Sequence, residues 1–227
     1  TGAEGLTWAM NTYMPAIVAQ RFPSARIVVF STGNVYPFTR VTGNGASEET
    51  IPAPVGDYAQ SCLGRERIFQ HFSEEFGSRV CIVRLNYAID VRYGVLLDVG
   101  RQVFQRDSID VSMGYVNVIW QGEACDRALQ CLGIASDPPA ILNVTGTSVL
   151  SVRWIADRFG ECFDLSPRII GIEGPTALLS DASQCTKLFG PLQISVGQMI
   201  VWVADWLKRG GITLEKPTGY EVRDGRF

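Results

Sequence analysis

The sequence has one histidine, His71, in 227 residues. That scarcity excludes His-rich metal clusters and leaves the common Ser-His-Asp hydrolase arrangement only if His71 itself serves. Its setting, Phe69-Gln70-His71-Phe72, reads as part of an amphipathic helix, where a histidine is structural or solvent-facing. No Cys-x-x-Cys pair occurs. Cys62, Cys81, Cys125, Cys131, Cys162 and Cys185 are scattered without a compact framework, as expected of reduced thiols in a reducing compartment. No apolar run approaches the roughly 20 residues that span a bilayer. No basic stretch followed by an apolar one opens the chain either, so the expectation is a cytoplasmic protein without a membrane segment. Positive charge is not in excess: Lys and Arg number 20 against 23 Asp and Glu, a formal net charge of -3. Nucleic acid and anionic membrane surfaces are therefore not expected partners.

What is present is a globular composition, 46% hydrophobic and 19% charged, able to bury roughly 70% of its unfolded surface as one domain or one plus a small lobe. Trp8, Met10, Met14, Ile17, Val18 and Phe22 recur at helical spacing and predict a helix from about Glu4 to Arg21, with a kink or early turn at Pro15. Arg26 to Ser31 is a short apolar run, as for a strand buried on both faces. The Pro/Gly-rich residues from Pro37 to Gly56 read as a long surface loop. Asp57 to Phe76 follows as a helix, with Asp57 as N-cap and Leu63, Phe69, Phe72 and Phe76 as its apolar stripe. Val80 to Leu85 then reads as a second buried strand. This alternation of helix and strand is what a parallel sheet with crossover helices produces. In the second half, helices are predicted at Val95–Gln105, Ile119–Leu132, Ser151–Phe163 and Val196–Lys208, and strands at Ile109–Met113, Ile141–Val144 and Arg168–Ile172. The tail from Lys216 to Phe227 is polar and expected to be poorly ordered.

The stretch with chemistry in it runs from Ile27 to Glu66. Ser31-Thr32-x-x-Val35-Tyr36 after a buried strand, then Tyr58-x-x-Ser61 opening a helix with Glu66, resembles the extended short-chain dehydrogenase/reductase family, in its NAD-dependent epimerase/dehydratase branch. The resemblance continues through Arg84-Leu85-Asn86-Tyr87, Asn117-Val118-Ile119, Ile141-Leu142-Asn143-Val144, Leu178-Leu179-Ser180-Asp181 and Lys187-Leu188-Phe189-Gly190, nearly the whole chain. It implies a Rossmann-type α/β fold, a doubly wound parallel sheet with a small mixed C-terminal substrate lobe. Residues 1–90 would be the remainder of the NAD(P)-binding domain, 91–215 a segment shared with the substrate lobe, and 216–227 the polar tail. The implied cofactor is NAD or NADP, the substrate a nucleotide sugar, and the assembly a homodimer formed through the helices at Glu4–Arg21 and Asp57–Phe76. By position, Thr32 orients the substrate hydroxyl and Tyr58 moves its proton. Ser31, Tyr58, Leu85, Asn86 and Tyr87 are implied on the cofactor side, and Thr32, Asn34, Asn86, Asn117 and Arg153 on the substrate side.

The sequence departs from the family's pattern in three places. Lowering a tyrosine from its free pKa of about 10 to about 7 takes roughly 4 kcal/mol of selective phenolate stabilisation. The family draws it from a lysine one helical turn on, and here that position is Cys62. Three readings stay open: Arg65 supplies the cation, another group such as Arg84 or Arg101 or the cofactor's own charge does, or the chain binds a dinucleotide or nucleotide sugar without efficient turnover. Second, Gly33 and Asn34 stand where sugar-nucleotide 4,6-dehydratases carry an acid pair, so epimerisation or carbonyl reduction is expected rather than dehydration. Third, Thr1-Gly2-Ala3-Glu4-Gly5 mimics the start of a phosphate-binding Gly-x-x-Gly-x-x-Gly turn, but Trp8 stands at the third glycine and no strand precedes it. It is read as a decoy, and the chain as a C-terminal portion that lacks the first strands of the sheet.

Overall fold

The computed structural model describes residues 3–225. Thr1 and Gly2 of the glycine-containing start, and the last two residues of the tail, lie outside the described residues. The first helix is a continuous rod of α1 (Glu4–Trp8), a π-helical segment (Ala9–Tyr13) and α2 (Met14–Arg21). Pro15 falls in the first turn of α2, immediately after the π segment. A proline lacks the N–H that would close a helical bond and crowds the preceding turn, and the wider π turn makes room for it. The expected kink is thus a local change of helix type.

β1 (Arg26–Thr32) follows, then β2 (Thr39–Arg40) within the loop, then α3 (Gly56–Phe76) and β3 (Arg79–Leu85). Asp57 is not the N-cap of α3: Val55 holds that place without a side-chain cap, and the Asp57 carboxylate accepts the Trp8 indole N–H at 2.8 Å. The short β4 (Ala88–Ile89) leads to α4 (Val95–Gln105), β5 (Ser108–Asp110) and β6 (Tyr115–Val116). Ile119 and Trp120 form a strand, β7 (Ile119–Trp120), rather than the first turn of the predicted helix, which starts at α5 (Gln121–Cys131). The chain continues as β8 (Ala140–Val144), β9 (Leu150–Ser151), α6 (Val152–Phe163), β10 (Arg168–Ile170), β11 (Thr176–Ala177), α7 (Ser183–Phe189) and α8 (Val196–Lys208). As predicted, Ser151 caps α6, its hydroxyl accepting the Trp154 N–H at 3.3 Å.

The main sheet is parallel, in the order β1-β3-β8, with Thr32 opposite Leu85 and Leu85 opposite Val144. Successive residues of β3 face opposite sides, so Val80 and Ile82 pack with Ala19, Val29 and Phe69, while Cys81 and Val83 pack with Ala124, Cys131 and Leu142. Both faces of the sheet are therefore covered by helices. A separate, larger core joins α4, α6 and α8 through Leu96, Val99, Ile155, Phe159, Met199 and Val203. Among the described residues β1 is paired on one side only, and the Arg65 guanidinium bonds the Phe30 carbonyl.

Two segments expected to be loose are held. In the 37–56 loop, β2 pairs antiparallel with β11, and Ala46 is buried beside Leu179. Gly45 makes this approach with φ +95°, where a Cβ would stand 2.7 Å from the Leu179 carbonyl carbon. The tail is packed as well: Tyr220 is buried in the larger core, and Arg223 lies over the Phe38 ring and donates to the Thr176 carbonyl at 3.0 Å.

Candidate active site

β1 ends where the sheet's carboxyl edge opens, and its last two side chains divide the work. Thr32 caps the short turn at Gly33–Val35, its Oγ1 accepting the Asn34 N–H at 3.2 Å. Ser31 donates to Glu66 Oε1 at 2.5 Å, which ties the end of β1 to the third turn of α3. Glu66 in turn makes a two-pronged ion pair with Arg84 of β3, at 2.7 and 3.0 Å, with both residues nearly inaccessible. Arg84 also donates to Tyr36 Oη at 2.8 Å, and Tyr36 donates to Asn143 Oδ1 at 2.8 Å. This buried network fixes the spacing between β1 and the helix that carries Tyr58.

Tyr58, in the first turn of α3, faces the same cavity as Thr32 and has Cys62 one helical turn on. The residue is 42% exposed, yet burial around the hydroxyl pushes its pKa up to about 12. Cys62 adds to the rise, while the Thr32 hydroxyl and the Arg65 charge oppose it. Cys62 is itself a buried thiol with its pKa raised by desolvation, a neutral neighbour at pH 7. Of the three cations considered for the missing lysine, Arg84 is neutralised by Glu66 and Arg101 bonds Thr213 and Glu215 away from the cavity. Arg65 is adjacent, 3.9 Å from the Cys62 sulfur, and is held by Asn11 Oδ1 and the Phe30 carbonyl.

A cavity of about 850 Å³ opens in front of this pair. That is within the size range of small-molecule sites. Ser31, Thr32, Asn34, Tyr58, Leu85, Asn86 and Tyr87 all line it. Tyr87 has φ +39°, an unusual backbone for a bulky side chain, and burial raises its pKa. Asn86 is buried and donates to Asn117 Oδ1 at 2.8 Å, while Asn117 donates to the Ser180 carbonyl at 2.6 Å. Asn117 therefore stands behind the cavity, outside its lining. Arg153 is elsewhere, on α6, in an ion pair with Glu173 at 2.6 Å. The wall that sequence reasoning missed is the tail: Lys216, Pro217, Thr218, Tyr220, Asp224 and Gly225 line the same cavity. No motif marks them; only their tertiary contacts do. His71 is exposed on α3, and all six cysteines are free thiols. Among the described residues there is no cluster suited to a metal ion and no helix long and apolar enough to cross a membrane.

No protein-family model matches the chain, and no curated protein matches it in sequence. Solved structures do match in three dimensions. A UDP-glucuronic acid 4-epimerase from Bacillus cereus in complex with NAD superposes with a TM-score of 0.75 at 15% identity, covering 88% of this chain and 67% of that one. The UDP-glucose 4-epimerase of Thermotoga maritima with UDP-glucose gives 0.74 at 11% identity, covering 92% and 72%. MoeE5 in complex with UDP-glucose and NAD gives 0.71 at 16% identity, covering 88% and 71%. The chain thus has the mixed α/β, Rossmann-type fold of these proteins, with a parallel sheet at its centre.

Proposed function

We propose that the chain is an NAD(P)-dependent epimerase or reductase of nucleotide sugars, a member of the extended short-chain dehydrogenase/reductase family. The observation that carries this reading is the convergence of Thr32 and Tyr58 at the carboxyl edge of a parallel sheet, on one cavity lined also by Ser31, Asn86 and Tyr87. The hydroxyl and amide groups there suit a nicotinamide, its ribose and sugar hydroxyls, whereas no Gly-x-x-Gly-x-x-Gly turn follows a strand among the described residues. When bound, a nicotinamide cofactor supplies hydride-transfer chemistry. Thr32 Oγ1 orients the reacting sugar oxygen, and Tyr58 Oη gives it a proton or takes one away. Gly33 and Asn34 offer no second acid or base, so water elimination is not part of the reaction.

Residues 1–90 form the NAD(P)-side part of a doubly wound domain and residues 91–215 are shared with a substrate lobe. The protein works in the cytoplasm as a homodimer. Incubation with NAD and UDP-glucose or UDP-glucuronic acid should yield the 4-epimer, or with NADH or NADPH a reduced product from the 4-keto sugar. Tyr58→Phe should lower turnover by about 10²-fold or more. Turnover unchanged in Tyr58→Phe would overturn the assignment, as would binding of cofactor and sugar nucleotide with no reaction in either direction.

A further inference from the structure

We propose that Lys216 determines ligand specificity in the cavity: its ammonium holds a phosphate oxyanion of a nucleotide whose sugar end lies at Thr32 and Tyr58. The inference rests on the nucleotide-sugar reading above. The chain has three lysines, and Lys216 is the only basic side chain among the described residues lining the cavity. It is exposed and has no ion-pair partner among the described residues. Its acidic neighbour is turned away: Glu215 adopts φ +49°, and its carboxylate bonds Thr213 Oγ1 and pairs with Arg101 at 3.4 Å. That backbone conformation is uncommon for a residue with a Cβ. It sends adjacent side chains of opposite charge to different partners, Glu215 to α4 and Lys216 to the cavity.

The base of Lys216 is anchored. Pro217 fixes one backbone torsion, and Thr218 donates to Asp98 Oδ2 through its N–H at 2.8 Å and its hydroxyl at 2.6 Å. The flexible side chain therefore pivots from a fixed point, as suits a compact cation meeting a phosphate as a point charge. Charge is also divided across the cavity. Glu4 and Asp57 belong to α1 and α3, and Asp224 precedes Gly225, which abuts Gly56 at the start of α3. An anionic ligand is repelled from that side and drawn to the α4 side, where Lys216 stands. The phosphate can belong to the sugar nucleotide or to the dinucleotide.

The test is calorimetric titration of the wild type, Lys216→Ala, Lys216→Glu and Lys216→Arg with UDP-glucose, UDP, uridine, NAD and pyrophosphate. Lys216→Ala should weaken UDP-glucose and UDP by about tenfold, the loss of one charge-assisted bond. Lys216→Glu should weaken them further, Lys216→Arg should restore most of the affinity, and uridine should be unaffected. A loss confined to NAD assigns the oxyanion to the dinucleotide instead. Equal affinities in wild type and Lys216→Ala for every phosphate probe overturn the inference while leaving the proposed function standing. If the wild type binds pyrophosphate in a Lys216-dependent way but neither nucleotide, Lys216 is an anion site that no nucleotide uses, and both the inference and the proposed function fall. No phosphate binding at all overturns both.

Discussion

At the scale of single residues, the decisive change is Cys62, which leaves Tyr58 beside a neutral thiol rather than a cation. With its pKa pushed up to about 12, Tyr58 is protonated at pH 7 and is ready to donate a proton but poor at accepting one. The free protein should therefore favour carbonyl reduction, where a proton is given, over alcohol oxidation. Oxidation needs the phenolate, so its kcat/KM should rise with pH through 7–10 and show no plateau in that range. Cys62→Lys alone would place a second cation against Arg65, whose guanidinium is 3.9 Å from the thiol. The informative variant is Cys62→Lys with Arg65→Ala, which should bring a plateau into the measurable range. A wild-type profile that is already flat above pH 8 would show that Tyr58 is not the base. The Ser-Thr and Tyr positions could be read from the sequence because they are local motifs at element ends. Arg84 could not be ranked against Arg65 from sequence, since only the fold brings Glu66 against one and not the other.

At the scale of elements, β1, β3 and α3 are joined by polar groups that water does not reach. Glu66→Gln would leave the Arg84 guanidinium buried without its counter-charge, and removing one partner of a buried pair costs about 3–5 kcal/mol. Urea unfolding should show that loss, and an unchanged midpoint would mean that Arg84 finds water or Tyr36 sufficient. The same variant should lower turnover beyond what its stability predicts, because Ser31 and Glu66 set how far Thr32 stands from Tyr58. Most helices and the three main strands were legible because their periodicities are unmixed. Ile119-Trp120 was not: a two-residue strand running directly into a helix has no alternation of its own, and its pairing with Ala88-Ile89 is decided by tertiary contact. Asp57 reads as an N-cap in isolation, but its carboxylate is taken by Trp8, 49 residues earlier.

At the scale of the whole molecule, the tail was the least legible part, because polar composition says nothing of a single tyrosine that enters a core. The helical rod at the other side poses the opposite question, apolar groups with no partner. Leu6, Met10, Tyr13 and Ile17 fall on one helix face by spacing, yet they are 64%, 56%, 67% and 40% exposed. Met14 and Phe22 are exposed too, although helical spacing in the sequence would place such residues in a core. A row of apolar side chains left to water on a folded protein marks an association surface. A second copy is the occupant that the family resemblance implies, through these helices and α3. Around a two-fold axis each substitution acts twice, so Tyr13→Glu would set two carboxylates into the apolar contact at once. Sedimentation should then give a dimer for the wild type and a monomer for Tyr13→Glu, with circular dichroism unchanged because the substituted side chain is exposed in the single chain. A monomeric wild type, or a dimer that tolerates both Tyr13→Glu and Met10→Glu, would remove this face as the dimer interface.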